Sequence, residues 1–164
     1  MNTSLLKEIV GATLLAGTFF TASAALKVGD TLPDLASFKL EGKLPDALKG
    51  KIVIVDFWAS WCLPCAKSFP ALDELQKKYG DRVVVLAVNV DEKKANMEKF
   101  LTKHAVTFTV VRDAEQKLVA VVEPATMPTS FILDATGKVR FLHNGFHGED
   151  TRKEYFAEIE TLLK

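Results

Sequence analysis

Both cysteines of the chain fall in one stretch, "WASWCLPC" at residues 58–65, as Cys62 and Cys65. Cysteine acts through its thiolate, which serves as nucleophile and as metal ligand. The pair therefore supports three readings. A closed zinc site needs two further ligands. His143 and His147 offer them, but they lie far beyond the usual finger loop and Gly145 sits between them. Inert buried thiols are the second reading, and the paired spacing weighs against it. A redox dithiol is the third. A merely structural cross-link is a weak explanation, because so short a loop removes little chain entropy.

The elements around the pair favour the redox reading. "KIVIVDFW", residues 51–58, is a β-branched run of the kind that forms a buried strand. It passes directly into a helical pattern in which Phe69, Leu72, Leu75 and Tyr79 recur at three- and four-residue steps, closed by Gly80. Cys62 is thus expected at a helix N-terminus, where unpaired N–H groups and the helix dipole stabilise a thiolate. Pro64 suits the first turn, which has no hydrogen bond to lose, and Pro70 should kink the helix. Cys65, one turn on, can attack a mixed disulfide held on Cys62 and release the partner. Asp56 stands inside the apolar strand. Burial there should raise its pKa and make it a proton acceptor for Cys65; the plainer reading turns it to solvent or uses it as a cap.

The remaining chain reads as an alternation of strands and helices. Strands are expected at 82–90, at "FTVV", at "SFILD" and at "KVRFLH", the last two joined by the turn "ATG". One helix is expected from an Asp91 N-cap to about His104, a short one over 114–121, and a last one from near Asp150. The pattern predicts an α/β fold with a mixed sheet. Residues 1–24 resemble a leader, with Lys7, a short apolar run and Ala22-Ser23-Ala24; cleavage after Ala24 is expected, with an uncleaved anchor as the alternative. Residues 25–164 are then one domain. Twenty-one basic and 21 acidic side chains balance, which argues against nucleic acid or an anionic membrane as partner. Export permits disulfides.

"VDFWASWCLPC", Pro70 in the helix and the distant "TMPTSFI" together resemble the thioredoxin superfamily, and more closely the exported TlpA/ResA-like thiol–disulfide oxidoreductases. The likeness spans nearly all of the mature chain. It implies a thioredoxin-like fold: a central mixed sheet flanked by helices, an N-terminal strand extension around "SFKLEGK", and an inserted strand–helix element. It implies a cis peptide at Met127–Pro128 facing the dithiol, with main chain free to bind an extended substrate. Trp61 matches the tryptophan that borders the substrate groove, Leu63 adds an apolar rim, and Gly145 falls on the face of Pro128. Asp56 matches the buried acid of thioredoxins, where TlpA-like proteins more often have Asn. The lysine that assists this acid in thioredoxins is replaced by Ala87, and the Glu often found after the second cysteine is Ser68. His143 and His147 are read as surface residues of the turn after the last strand.

Leu63-Pro64 places no cation or histidine between the sulfurs to favour the reduced thiolate. A reductant nearer thioredoxin than DsbA is therefore expected. No cofactor is expected beyond the Cys62–Cys65 disulfide, and no metal. The resemblance implies a membrane electron donor of DsbD or CcdA type. The implied substrates are disulfides of exported, periplasmic proteins, apocytochrome c among them. A monomer suffices. Rival readings are a peroxiredoxin-like peroxide reductase with antioxidant activity, whose P-x-x-x-T/S-x-x-C context is missing, an oxidase or isomerase, a binding module, and a copper carrier.

Overall fold

A computed structural model describes residues 25–164. The expected leader and its cleavage site lie outside the described residues. Nine main elements follow in chain order: β1 (Ile52–Trp58), α1 (Leu63–Tyr79), β2 (Val83–Asn89), α2 (Lys94–Lys103), β3 (Thr109–Arg112), α3 (Lys117–Val122), β4 (Thr129–Leu133), β5 (Val139–Asn144) and α4 (Glu149–Leu162). The strands form one sheet in the order β3-β2-β1-β4-β5. β1 pairs parallel with β2 and β2 parallel with β3, while β4 lies antiparallel to both β1 and β5. This is the mixed sheet flanked by helices that the sequence predicts.

β1 and β2 are buried along their whole lengths, which accounts for their continuous apolar runs. Side chains alternate across the sheet. Ile52, Ile54 and Trp58 join Val83, Val85, Ala87 and Ile132 on one face, under Phe69, Leu72 and Leu75 of α1, Phe100 of α2, and Tyr155 and Ile159 of α4. Val53, Val55 and Phe57 join Leu86, Val88 and Phe131 on the other, covered by Leu118 and Val122 of α3 and by Leu35 from the N-terminal segment.

That segment is less regular than the expected strand extension. It is a strap with one short 3-10 turn, Leu35–Ser37, and two isolated bridges, Thr31 to Lys138 and Glu41 to Arg112. Pro33, Gly42 and Pro45 interrupt it, so no long ladder forms. Gly42 holds φ +118° with Val110 O 3.1 Å from where a Cβ would be, so the strap passes tight against β3.

Candidate active site

Parallel pairing of β1 with β2 and antiparallel pairing with β4 bring three chain segments to one end of the sheet. They are the loop after Trp58, the start of β4 opposite Phe57, and the end of β5, where Asn144 pairs with Thr129. The first carries the cysteines, the second Met127 and Pro128, the third Gly145.

Cys62 is the N-cap of α1, in extended backbone, and its Sγ accepts a hydrogen bond from Cys65 N at 3.1 Å. Pro64 sits in the first turn, as expected. α1 runs on through Pro70 to Tyr79. A disulfide joins Cys62 to Cys65 across a Cα–Cα distance of 5.3 Å. The two sulfurs differ in access: Cys62 lines a surface cleft, whereas Cys65 is fully buried. That asymmetry suits an outer attacker and an inner resolver. Trp61 and Leu63 flank the pair at 73% and 67% exposure, unusual for such large apolar side chains, and form a rim around it. Ser68 is buried and its Oγ donates to Cys65 O at 3.0 Å, so it braces the helix start.

The Met127–Pro128 peptide is cis. Gly145 N donates to Pro128 O at 2.8 Å, at a φ of +85° that glycine adopts freely, so these two predicted residues do meet. Met127 packs against the apolar cluster that holds both cysteines.

Asp56 is fully buried rather than turned to solvent. By strand alternation it faces the side of Ile54 and Trp58, the side on which Cys62 and Cys65 are packed. Ser130 Oγ donates to Asp56 Oδ1 at 2.5 Å, and Oδ2 has no partner. Burial pushes this carboxyl up to about 7, against the lowering effect of the Ser130 bond. Its neighbour across the parallel pair is Ala87, so no lysine assists it from there. Ser130 Oγ also lies 2.7 Å from Tyr155 Oη, itself buried, whose pKa is raised by burial first and by the Asp56 charge second. Neither Ser130 nor Tyr155 stands out in the sequence. The first is one polar residue in "TSFIL", and the second counts as part of an apolar helix stripe.

Asp91 corrects the reading of it as an N-cap. α2 begins at Lys94 after Lys93, with no side-chain cap. The Asp91 carboxylate instead accepts from Ser60 N at 3.0 Å, Ser60 Oγ at 3.0 Å and Asn89 Nδ2 at 2.9 Å, and so fixes the loop before Cys62. Buried Arg112 donates to the carbonyls of Asp91 and Glu92 while pairing with both carboxylate oxygens of Glu41, at 2.8 and 3.0 Å. The strap, β3 and the cysteine loop are thereby tied together.

His143 is likewise corrected. It lies within β5, its side chain 12% exposed, with Nε2 2.7 Å from Glu158 and its ring edge-on to Tyr155. His147 follows the turn and is exposed, as expected. Among the described residues, no group of three or more His, Cys, Asp or Glu side chains is arranged to hold a metal ion.

Residues 27–159 match the Redoxin family profile. The chain is 36% identical to the thiol-disulfide oxidoreductase ResA of Geobacillus thermodenitrificans, over 95% of this chain and 91% of that protein. It is 34% identical to the thioredoxin-like protein YneN of Bacillus subtilis, over 95% of this chain and 94% of that one. Among solved structures, a Chlorobium tepidum protein assigned as thiol:disulfide interchange protein DsbE superposes with a TM-score of 0.77 at 36% identity, covering 85% of this chain and all of that one.

Proposed function

The chain belongs to the Redoxin family and is a thiol–disulfide oxidoreductase of the ResA-like kind, and from that premise we propose that it reduces disulfides of exported proteins in the periplasm. The observation that carries the direction is the frame of the dithiol. Cys62 caps α1 with its sulfur on a backbone N–H, and no cationic or histidine side chain lies between the sulfurs. Within the motif itself the thiolate of the reduced protein is therefore helped only by the helix end, with no charge between the sulfurs of the kind a strong oxidant uses.

The Cys62 thiolate attacks one sulfur of the substrate disulfide and expels the other as a thiol. Asp56 takes the proton of Cys65, whose sulfur then displaces the substrate from Cys62. The substrate leaves with two electrons more, and the Cys62–Cys65 disulfide forms. Trp61, Leu63, Met127, Pro128 and Gly145 border the path along which the substrate lies. Recharging requires a thiol donor on the far side of the reaction, here a membrane protein of DsbD or CcdA type. The resemblance to TlpA/ResA-like proteins suggests apocytochrome c as one substrate. The protein works as a monomer, held at the membrane or free according to the fate of its leader.

Two measurements test this. Cys65→Ser expressed in the native host should trap exported cysteine proteins as mixed disulfides on Cys62. The reduction potential should lie nearer thioredoxin, about −270 mV, than DsbA, about −120 mV; a value above about −150 mV would refute the reductant assignment.

A further inference from the structure

Resting on the acid–base reading of Asp56, the first inference concerns what aims that acid. A serine hydroxyl has one proton. With Asp56 ionised, Ser130 spends that proton on Oδ1, so the 2.7 Å contact with Tyr155 must be donated by the tyrosine. The chain Tyr155 to Ser130 to Asp56 thus has a fixed direction, every member buried. It comes from three elements, α4, β4 and β1, so the fold and not local sequence assembles it. Oδ1 is occupied, while Oδ2 is buried and unpartnered. We propose that Ser130 and Tyr155 are positioning residues that lock the Asp56 carboxylate and leave Oδ2 as its single proton-accepting atom in the resolving step. The neighbours that could perturb its titration are few. Ala87 is its partner on β2, and the apolar cluster on its face of the sheet holds both cysteines; Glu154 and Glu158 act on Tyr155, whose ring His143 meets edge-on.

The test uses reduced protein and a symmetrical aromatic disulfide, dithiobis(nitrobenzoate). Its first thiolate reports attack by Cys62 and its second reports displacement by Cys65. Losing a hydrogen bond to the ionised acid should move the pH midpoint of the second release upward by about one unit in Ser130→Ala, less in Tyr155→Phe, and not at all in Ser130→Thr. The first release should be unaffected. Carboxylate NMR of the oxidised protein should show the same displacement of the Asp56 titration. Midpoints in Ser130→Ala and Tyr155→Phe equal to the parent's, with the inflection lost in Asp56→Asn, would overturn the chain and spare the acid. An inflection that survives Asp56→Asn would overturn the acid–base reading itself.

A second inference rests on charge beside Cys62. The cleft next to this sulfur measures about 380 Å³ and is bounded by Trp61, Leu63, Phe100, Lys99, Lys103 and His104. Lys99 and Lys103 stand one helical turn apart on α2, an arrangement that like charges disfavour. Among the described residues neither has a carboxylate within ion-pair distance; Glu98 of the same helix pairs with Lys94 instead. A chain of zero net charge therefore presents an uncompensated cationic wall beside its reactive sulfur. The geometry points to substrates whose reacting cysteine is flanked by acidic side chains, which Lys99 and Lys103 attract into the cleft. This deepens the reductase reading. Three peptide disulfides, flanked by Glu, Gln or Lys, separate the outcomes. At low salt kcat/KM should run about tenfold from Glu down to Lys, collapse toward equality at about 1 M salt, and invert in Lys99→Glu/Lys103→Glu. Equal rates, or an order the double variant leaves unchanged, would overturn the acidic preference; failure to reduce any of the three would overturn the reductase reading.

Discussion

Asp56 inside β1 and Asp91 just after β2 are both buried carboxylates, yet the protein treats them in opposite ways. Asp91 meets donors on both oxygens, from Ser60 and Asn89. Asp56 meets one donor, Ser130, and its second oxygen meets none. A buried charge is tolerable when hydrogen-bonded and costly when it is not. Asp91 is therefore satisfied and acts as a clamp. Asp56 is held near the point of gaining a proton, about 7. The satisfied acid fixes the loop that carries Cys62, and the unsatisfied one is the acid we propose as proton acceptor for Cys65.

Each acid can be removed to sharpen that contrast. In the resolving step, Asp56→Asn should slow release of a mixed disulfide by about 10²-fold or more at neutral pH, the scale of a lost general base, with the attack step little changed. Asp91→Asn should leave the ratio of the two steps as it is. Stopped-flow release of both thiolates decides this, and equal slowing of both steps by Asp56→Asn would break the contrast.

Stability should move in opposite directions. The folded-state pKa of Asp56 lies above its unfolded value of 3.8, so its ionised form opposes folding. Below pH 3.8 the acid is protonated in both states and there is no penalty. The penalty grows as pH rises and is complete above about 7, reaching about 4 kcal/mol at about 1.4 kcal/mol per unit. Asp56→Asn should therefore stabilise the oxidised protein by up to that amount at pH 8 and by nothing near pH 3.5, measured by denaturant unfolding. Asp91→Ala, which strands the donors of Ser60 and Asn89, should destabilise it by about 2–3 kcal/mol.

Next in size is the clamp behind Asp91. Arg112→Met breaks the pairing with Glu41 and leaves two carbonyls without a donor, and should cost about 2 kcal/mol in the same unfolding experiment. Ser60→Ala removes one hydroxyl donor of several and should cost about 1 kcal/mol or less.

How far the sequence reveals these two acids follows from where their partners sit. Asp56 is legible because it interrupts an apolar run, and a polar residue in a buried strand demands an explanation. The cysteine pair, its helix start and the order of strands and helices are legible for similar reasons of local pattern. Asp91 misleads: an acid just before a helical pattern suits an N-cap, and only the fold shows that Ser60, on another loop, competes for it and wins. Ser130 and Tyr155 are silent because each looks normal for its own element, and their meaning arises from register between strands and the packing of α4. The N-terminal strap misleads in the other direction, since its apolar residues suggest a strand while its prolines and glycine allow only single bridges.

That strap carries one more implication. It pairs with Val139 on the outer side of β5, through Gly29 and Asp30, and with Arg112 on the outer side of β3, through Glu41. Both margins of the sheet are thus touched by the protein's own chain, which discourages a foreign strand from adding there. For a thiol–disulfide oxidoreductase this is self-protection: a visiting chain is steered away from irreversible co-assembly and toward the one place where contact ends in release.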